Sequence, residues 1–402
     1  AAFTASGDAA AAAELAERAE GKDLGRDGYA ALLQEGLGGD RAAVLRRVAS
    51  HAPCAGVRAA VLNAAAIFLL EEGRLEAACG VLADLAAAGL WTRVTYRLAE
   101  RLRARGAAPA AGRPPFPGLL DPGPGAHKYV RAFYHALGRA TAGDVDSILS
   151  GLEHFSSNKG WLKFGAAYEK GAAIDAALAD WRGRVPRAGP PVAVEYGAFL
   201  GYATLRLARS LGPGARVVSF ESDPELACLA MNLVALAGLD ARIDVWIGEG
   251  ERLVPKVVSA LGSRSVDVVY MDHTQATYHR DAAQLESARL LADGALLVAT
   301  QVLKPGAPLL TWRLAEAQRA GRCDLRLVSA PDCGCPRMEE WVALATIRAG
   351  DDDGAWAPGE PPHELALLAA ECNLMRWRTP QGLVDEHRWN GFVQRVRRET
   401  ER

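Results

Sequence analysis

The chain has 402 residues, half of them hydrophobic and 23% charged, with a formal net charge of −2. Those values suit two or three globular domains with sizeable cores, and they exclude a global polybasic field made for nucleic acid or an anionic membrane, though not a local patch. No uninterrupted apolar run reaches the roughly eighteen residues of a membrane-spanning helix.

The seven cysteines are odd in number and sparse, so they form no disulfide framework. Cys333 and Cys335 read either as a redox pair or as a tight turn. The chain carries 39 arginines against 7 lysines. They are spread evenly, which points to coding bias rather than to a bidentate anion site. It opens Ala1-Ala2-Phe3 with no initiator methionine, so it is either shortened or stripped of a targeting segment, and an organelle (plastid or mitochondrion) is the compartment expected.

Residues 1–113 are Ala-rich, with helical periodicity and almost no strand-like alternation. An apolar stripe over 62–70 ends in Glu71-Glu72-Gly73, and a second, from Arg74, ends in Ala88-Gly89. The glycines stand where helix C-termini are expected, so a helical hairpin is predicted. A hairpin cannot bury its own face, so helices are also expected over 41–50 and 92–105. The hairpin's lettering resembles a single pentatricopeptide-type repeat. That resemblance implies single-stranded RNA binding or protein docking. Residues 1–126 hold 14 acidic and 14 basic side chains, which favours docking or scaffolding over nucleic acid. The span 105–125, with six prolines and five glycines, cannot sustain helix or central strand, so a linker is placed at 114–126.

From 127 to 348 the pattern alternates between β and α. Strands are expected at 192–196, 216–220, 243–247, 266–271, 295–299, 325–328 and 341–347, with helices such as 203–210, 224–237 and 284–291 between most of them. The fold class expected is α/β: a doubly wound, mostly parallel seven-stranded sheet, preceded by an all-α region. The last strand follows its predecessor without a helix and is expected as an antiparallel edge. Residues 349–402 read as a C-terminal helical extension, with an acidic turn at 351–354, a helix around 363–372 and a basic tail. Its Trp377 and Trp389, among Arg376, Arg378 and Arg388, fit a protein interface or packing on the chain's own domain.

Ligands of doubly wound sheets sit beyond the carboxyl ends of the strands. The first strand ends Glu195-Tyr196-Gly197-Ala198-Phe199-Leu200-Gly201-Tyr202, and the second ends in Glu221, where a carboxylate can accept both hydroxyls of a ribose. These segments, together with Gly138–Asp144, Trp161, Lys170-Gly171, Gly212–Arg216, Met271-Asp272-His273, Tyr278 and Pro305–Pro308, resemble the catechol O-methyltransferase family. The resemblance implies a Rossmann-like fold and S-adenosylmethionine as cofactor. Gly197 and Gly201 would line its methionine part, with Glu195, Phe199 and Tyr202 around them, and Glu221 would hold the ribose. Gly248 and Glu251 would face the adenine, with Asp272 and His273 nearby. Ala203 replaces a hydroxyl often used for the cofactor carboxylate, with Thr204 adjacent.

The family's Mg²⁺ site uses one acid after the fourth strand and an Asp-Asn pair after the fifth. Only Asp272 is retained, because Thr300 and Gln301 stand in place of the pair. The family's lysine base is here Gln275, which cannot accept a proton at neutral pH. His279 is a candidate base, and Glu339 a candidate for a late substrate-steadying acid. Thr274, Lys163 and Phe164 depart from the family's substrate walls. No metal site is expected. The function expected is a pseudoenzyme that docks in a larger complex with other protein subunits and keeps S-adenosylmethionine. The alternatives are an active metal-independent O-methyltransferase and an organellar RNA-associated factor.

Overall fold

A computed structural model of the chain describes residues 40–107, 122, 126–159, 168–187, 189–332, 335–348, 358–378 and 383–401. The tract before residue 40, most of the linker, Trp161, Lys163, Phe164, Cys333 and the acidic turn 351–354 lie outside them. Among the described residues no helix is long and apolar enough to cross a membrane.

The elements run α1 Arg41–Ala49, α2 Ala55–Glu71, α3 Leu75–Ala87, α4 Arg93–Ala104, α5 Lys128–Arg139, α6 Val145–Lys159, α7 Tyr168–Arg184, β1 Val192–Tyr196, α8 Tyr202–Leu211, β2 Arg216–Glu221, α9 Pro224–Ala237 and β3 Ile243–Ile247. They continue with α10 Gly250–Leu261, β4 Val266–Met271, α11 Tyr278–Ser287, β5 Leu291–Ala299, a π turn Val302–Gly306, α12 Pro308–Arg319, β6 Cys323–Asp332, β7 Cys335–Ile347, α13 His363–Arg378 and α14 Glu386–Glu401. The seven strands lie in the order β3-β2-β1-β4-β5-β7-β6. β1 pairs parallel with β2 and β4, and β4 with β5, while β7 is antiparallel to both β5 and β6. This is the mostly parallel, Rossmann-like sheet expected.

Two local expectations are corrected. The last strand, β7, is antiparallel as expected, but it lies between β5 and β6, and the edge strand is β6. Every residue of the run Trp341–Ala345 is buried, as a strand flanked on both sides requires, whereas β6 alternates with polar, solvent-facing Asp324 and Arg326. The helix placed at 284–291 instead spans Tyr278–Ser287. Its start is anchored by the fully buried Tyr278, whose hydroxyl donates to the Met271 carbonyl at 2.9 Å, and β5 already begins at Leu291.

Contacts group the chain into two compact units. One unit joins the N-terminal helices to α5 and α6, to 198–206 and to 221–248. Within it the predicted hairpin forms as α2 and α3. Gly73 and Gly89 follow the two helices with φ of 72° and 67°, a left-handed turn that glycine adopts without a Cβ penalty. Helix α4 opens on a capping box between Thr92 and Thr95. α2 is apolar nearly all round, so α1, α3 and α4 cannot cover it alone. It also packs against α9, all of whose 14 residues are buried.

A polar cluster joins those two helices. The Asn63 amide donates to Asn232 Oδ1 at 3.0 Å and to Thr92 Oγ1 at 3.1 Å, and accepts from the Thr95 hydroxyl at 2.9 Å. The Asn232 amide donates to the Ala60 and Cys228 carbonyls. The other unit holds α7, β1, the second half of α8, most of β2, and everything from residue 249 onward.

Candidate functional site

In the first unit Glu221 ends β2 and is 8% exposed. One carboxylate oxygen accepts the Phe199 amide at 2.7 Å and the other the Asp223 amide at 2.9 Å. Burial pushes its pKa up, opposed by those backbone hydrogen bonds. A carboxylate has about four lone-pair directions, so these backbone donors do not exhaust it. Glu221 thus does two jobs: it holds the loop after β1 and keeps acceptor capacity for a diol. Phe199 is a non-glycine at φ 51°, a strained position that the Glu221 hydrogen bond fixes. Gly201 (φ 79°) lies against Ala230 of α9, where a Cβ would sit 3.4 Å from the Ala230 backbone. Gly248 donates its amide to the Glu221 carbonyl at 2.8 Å.

Tyr202 is buried and faces α6. Its hydroxyl donates to Glu153 and accepts from Arg206, so its ring serves that packing. Thr204 is fully buried in α8.

In the second unit Gly197 has φ 95°, and a Cβ there would come within 3.0 Å of the Asp272 carbonyl and 3.2 Å of the His273 side chain. Gly250 is equally constrained, because a Cβ would sit 2.3 Å from the Tyr196 ring. Glu195 is fully buried and accepts from the Ser219 hydroxyl at 2.5 Å, which makes it a support for β1 and β2 rather than an open ligand. Glu251 lies exposed in the first turn of α10, and its carbonyl accepts from Gln284. His273 stacks on Tyr196 with centroids 5.0 Å apart, and its Nε2 lies 2.8 Å from Asp281 Oδ2. Its Nδ1 is buried with no hydrogen-bond partner.

Beyond β4 and β5 the expected metal-site residues do come together, but on one another. Thr300 Oγ1 donates to Asp272 Oδ1 at 2.6 Å, Gln301 Nε2 donates to the same oxygen at 3.0 Å, and Gln275 Nε2 donates to Gln301 Oε1 at 2.8 Å. Burial raises the Asp272 pKa, opposed by Lys170 and by these donors. A hard divalent cation needs an octahedron of oxygens that includes carboxylates. Here one carboxylate already serves two donors, and no group of three His, Cys, Asp or Glu suited to a metal occurs among the described residues. The residues do not fit Mg²⁺. Gln301 sits at φ 56°, a region that favours asparagine far more than glutamine.

Glu340 is a site residue that sequence pattern did not single out. It is 2% exposed, accepts the Leu303 and Trp341 amides, and has its pKa pushed up to about 7 by burial, opposed by the nearby buried Lys170. The candidate Glu339 lies outside this cluster, paired with Arg397 of α14 at 2.6 Å and with the Trp341 indole. His279 is half-buried, its pKa lowered by burial and then by Arg280. Its charged neighbours are Arg280, Asp281 and Arg313, not the Asp272 cluster.

The strand order, the glycine loop after β1 and the acid closing β2 define a doubly wound nucleotide-cofactor fold. A family model described as O-methyltransferase matches residues 188–314. Bovine (Bos taurus) catechol O-methyltransferase is 33% identical over 46% of this chain and 65% of its own length. The human (Homo sapiens) transmembrane O-methyltransferase is 33% identical over 54% of this chain and 71% of its own. An O-methyltransferase from Bacillus cereus, solved in complex with SAH, superposes with a TM-score of 0.36 at 16% identity, over 51% of this chain and 100% of that chain. The chain belongs to the O-methyltransferase family, although it spans just under two thirds of the length of the catechol O-methyltransferases that it matches.

Proposed function

We propose that this chain binds an S-adenosyl cofactor but does not perform Mg²⁺-assisted methylation of catechols, and that it serves as a docking subunit among other protein partners. The observation carrying this reading is the closed hydrogen-bond chain Gln275–Gln301–Asp272–Thr300. A neutral hydroxyl and one amide, itself held by a second amide, occupy the one carboxylate that a cation would need. No metal is then held there to lower the pKa of a phenol from about 10, and the family's lysine position carries Gln275, which cannot act as a base.

The cofactor supplies a methyl group on a sulfonium. Glu221 would accept the ribose hydroxyls, Gly197 and Gly201 would allow close backbone approach, and Gly248 would face the adenine. The N-terminal helical hairpin, with its repeat-like lettering, supports the docking role.

A second reading, methyl transfer without metal, is favoured by one observation: the His273–Asp281 pair with its buried, unpartnered Nδ1 is a base oriented by an acid. Thermal unfolding tests the main reading. SAH should raise the melting temperature, and millimolar Mg²⁺ should leave it unchanged with or without SAH. A saturable Mg²⁺-dependent rise would overturn it.

A further inference from the structure

Among the described residues five large apolar side chains are exposed, and four of them, Leu367 (54%), Leu374 (41%), Trp377 (60%) and Leu383 (56%), lie on α13 or just beyond it. α13 buries Leu368, Cys372 and Met375 against its own domain, beside the turn 302–306 and α12. At 3.6 residues per turn, Leu367, Ala370, Leu374 and Trp377 (spacing 3, 4, 3) form a second stripe on the roughly opposite side. A helix with one apolar seam inward and another, of heptad spacing, facing out is built to pair with a further helix.

We infer that this outer stripe docks a second copy of the chain, the two α13 helices packing antiparallel about the level of Cys372. Size and charge both select that partner and direction. Antiparallel pairing sets Leu367 opposite Trp377 of the partner subunit, and small Ala370 opposite the partner's Leu374. A parallel pair would instead stack Trp377 on Trp377 and Ala370 on Ala370. The flanking column is acidic at its start, with exposed Glu364, and basic at its end, with Arg378. In the antiparallel pair Glu364 comes within about 3 Å along the axis of the level of the partner's Arg378, twice by symmetry. Glu371, which would approach its own equivalent, is already paired with Arg395 of α14.

α13 has 16 residues, about 24 Å of helix. Such a contact falls below the area of stable dimers, so the association is weak and concentration-dependent.

Sedimentation velocity of the full chain tests this. The weight-average mass should rise from 42.6 kDa toward twice that between about 1 and about 200 µM, the range of a small interface. Leu374→Glu changes an exposed position, so folding should be retained on circular dichroism while dimerisation falls at least about 30-fold. Glu364→Arg and Arg378→Glu should each weaken it about fivefold, and the two together should restore it to within about twofold. A wild-type chain that stays monomeric throughout, a folded Leu374→Glu variant that dimerises normally, or a charge swap without rescue would each overturn the proposal.

Discussion

Asn63→Ala tests whether the N-terminal helices and α9 are one cooperative body. The Asn63 side chain fills three roles between helices, and all its partners are 4% exposed or less. On truncation the Thr95 hydroxyl can turn to Thr92 Oγ1, already 3.2 Å away. Asn232 Oδ1 has no such substitute and is left buried without its donor, a loss of about 1–3 kcal/mol. The lost side-chain volume adds to this, so the expected destabilisation is about 2–4 kcal/mol. In Asn63→Ala/Asn232→Ala the two losses should be less than additive by about 1 kcal/mol or more, because one removes the other's orphan. Hydrogen exchange followed by mass spectrometry gives the spatial readout: amide protection should fall in 55–71 and in 224–237 together. Faster exchange confined to 40–107, with α9 unchanged, would refute the reasoning and restore a domain boundary at the linker.

Glu221→Gln keeps an acceptor for the Phe199 amide but removes the charge, and should weaken SAH binding by about 1.5–3 kcal/mol in calorimetry; unchanged affinity would remove Glu221 from the ribose site. Glu340 makes stability pH-dependent. Its folded pKa of about 7 lies above the ordinary carboxyl value of 4.5, so its favourable contribution is complete below about pH 4.5 and is lost as pH rises through 7. Glu340→Gln should flatten that slope and gain about 1–3 kcal/mol over wild type at pH 8, measured by urea unfolding; parallel pH profiles would contradict this. Thr300→Asp/Gln301→Asn/Gln275→Lys places a second carboxylate at hydrogen-bond distance from Asp272 and puts asparagine in the left-handed conformation at 301. It should melt lower than wild type in chelator and recover with millimolar Mg²⁺; indifference to Mg²⁺ would show that the strand ends are not correctly placed.

The sheet was legible because its strands are continuous Val, Ile and Leu runs bounded by glycine turns, and the carboxyl-end residues followed from that order. Gly197 and Glu221 stand out by their spacing at the ends of β1 and β2, whereas Phe199 is singled out only by the family resemblance. What pattern could not reveal is partnership. Nothing in the alternation around Trp341 says that β7 inserts between β5 and β6, and Tyr202 reads like a loop aromatic until α6 supplies Glu153. α2 is apolar nearly all round, which announces a second covering layer without saying that α9, some 160 residues on in sequence, provides it. Glu340 beside Glu339 was undecidable from letters, because on a strand neighbours face opposite sides. Only register shows which one turns inward.

The most direct test of the central claim is transfer of an isotope-labelled methyl group from S-adenosylmethionine to catechol, with millimolar Mg²⁺ and at cofactor concentrations where calorimetry shows the pocket filled. The account predicts that the label stays on the cofactor, with Mg²⁺ or with chelator. Mg²⁺-dependent appearance of label in methylated catechol would contradict it, and would mean that the Asp272, Thr300 and Gln301 cluster opens to admit a cation.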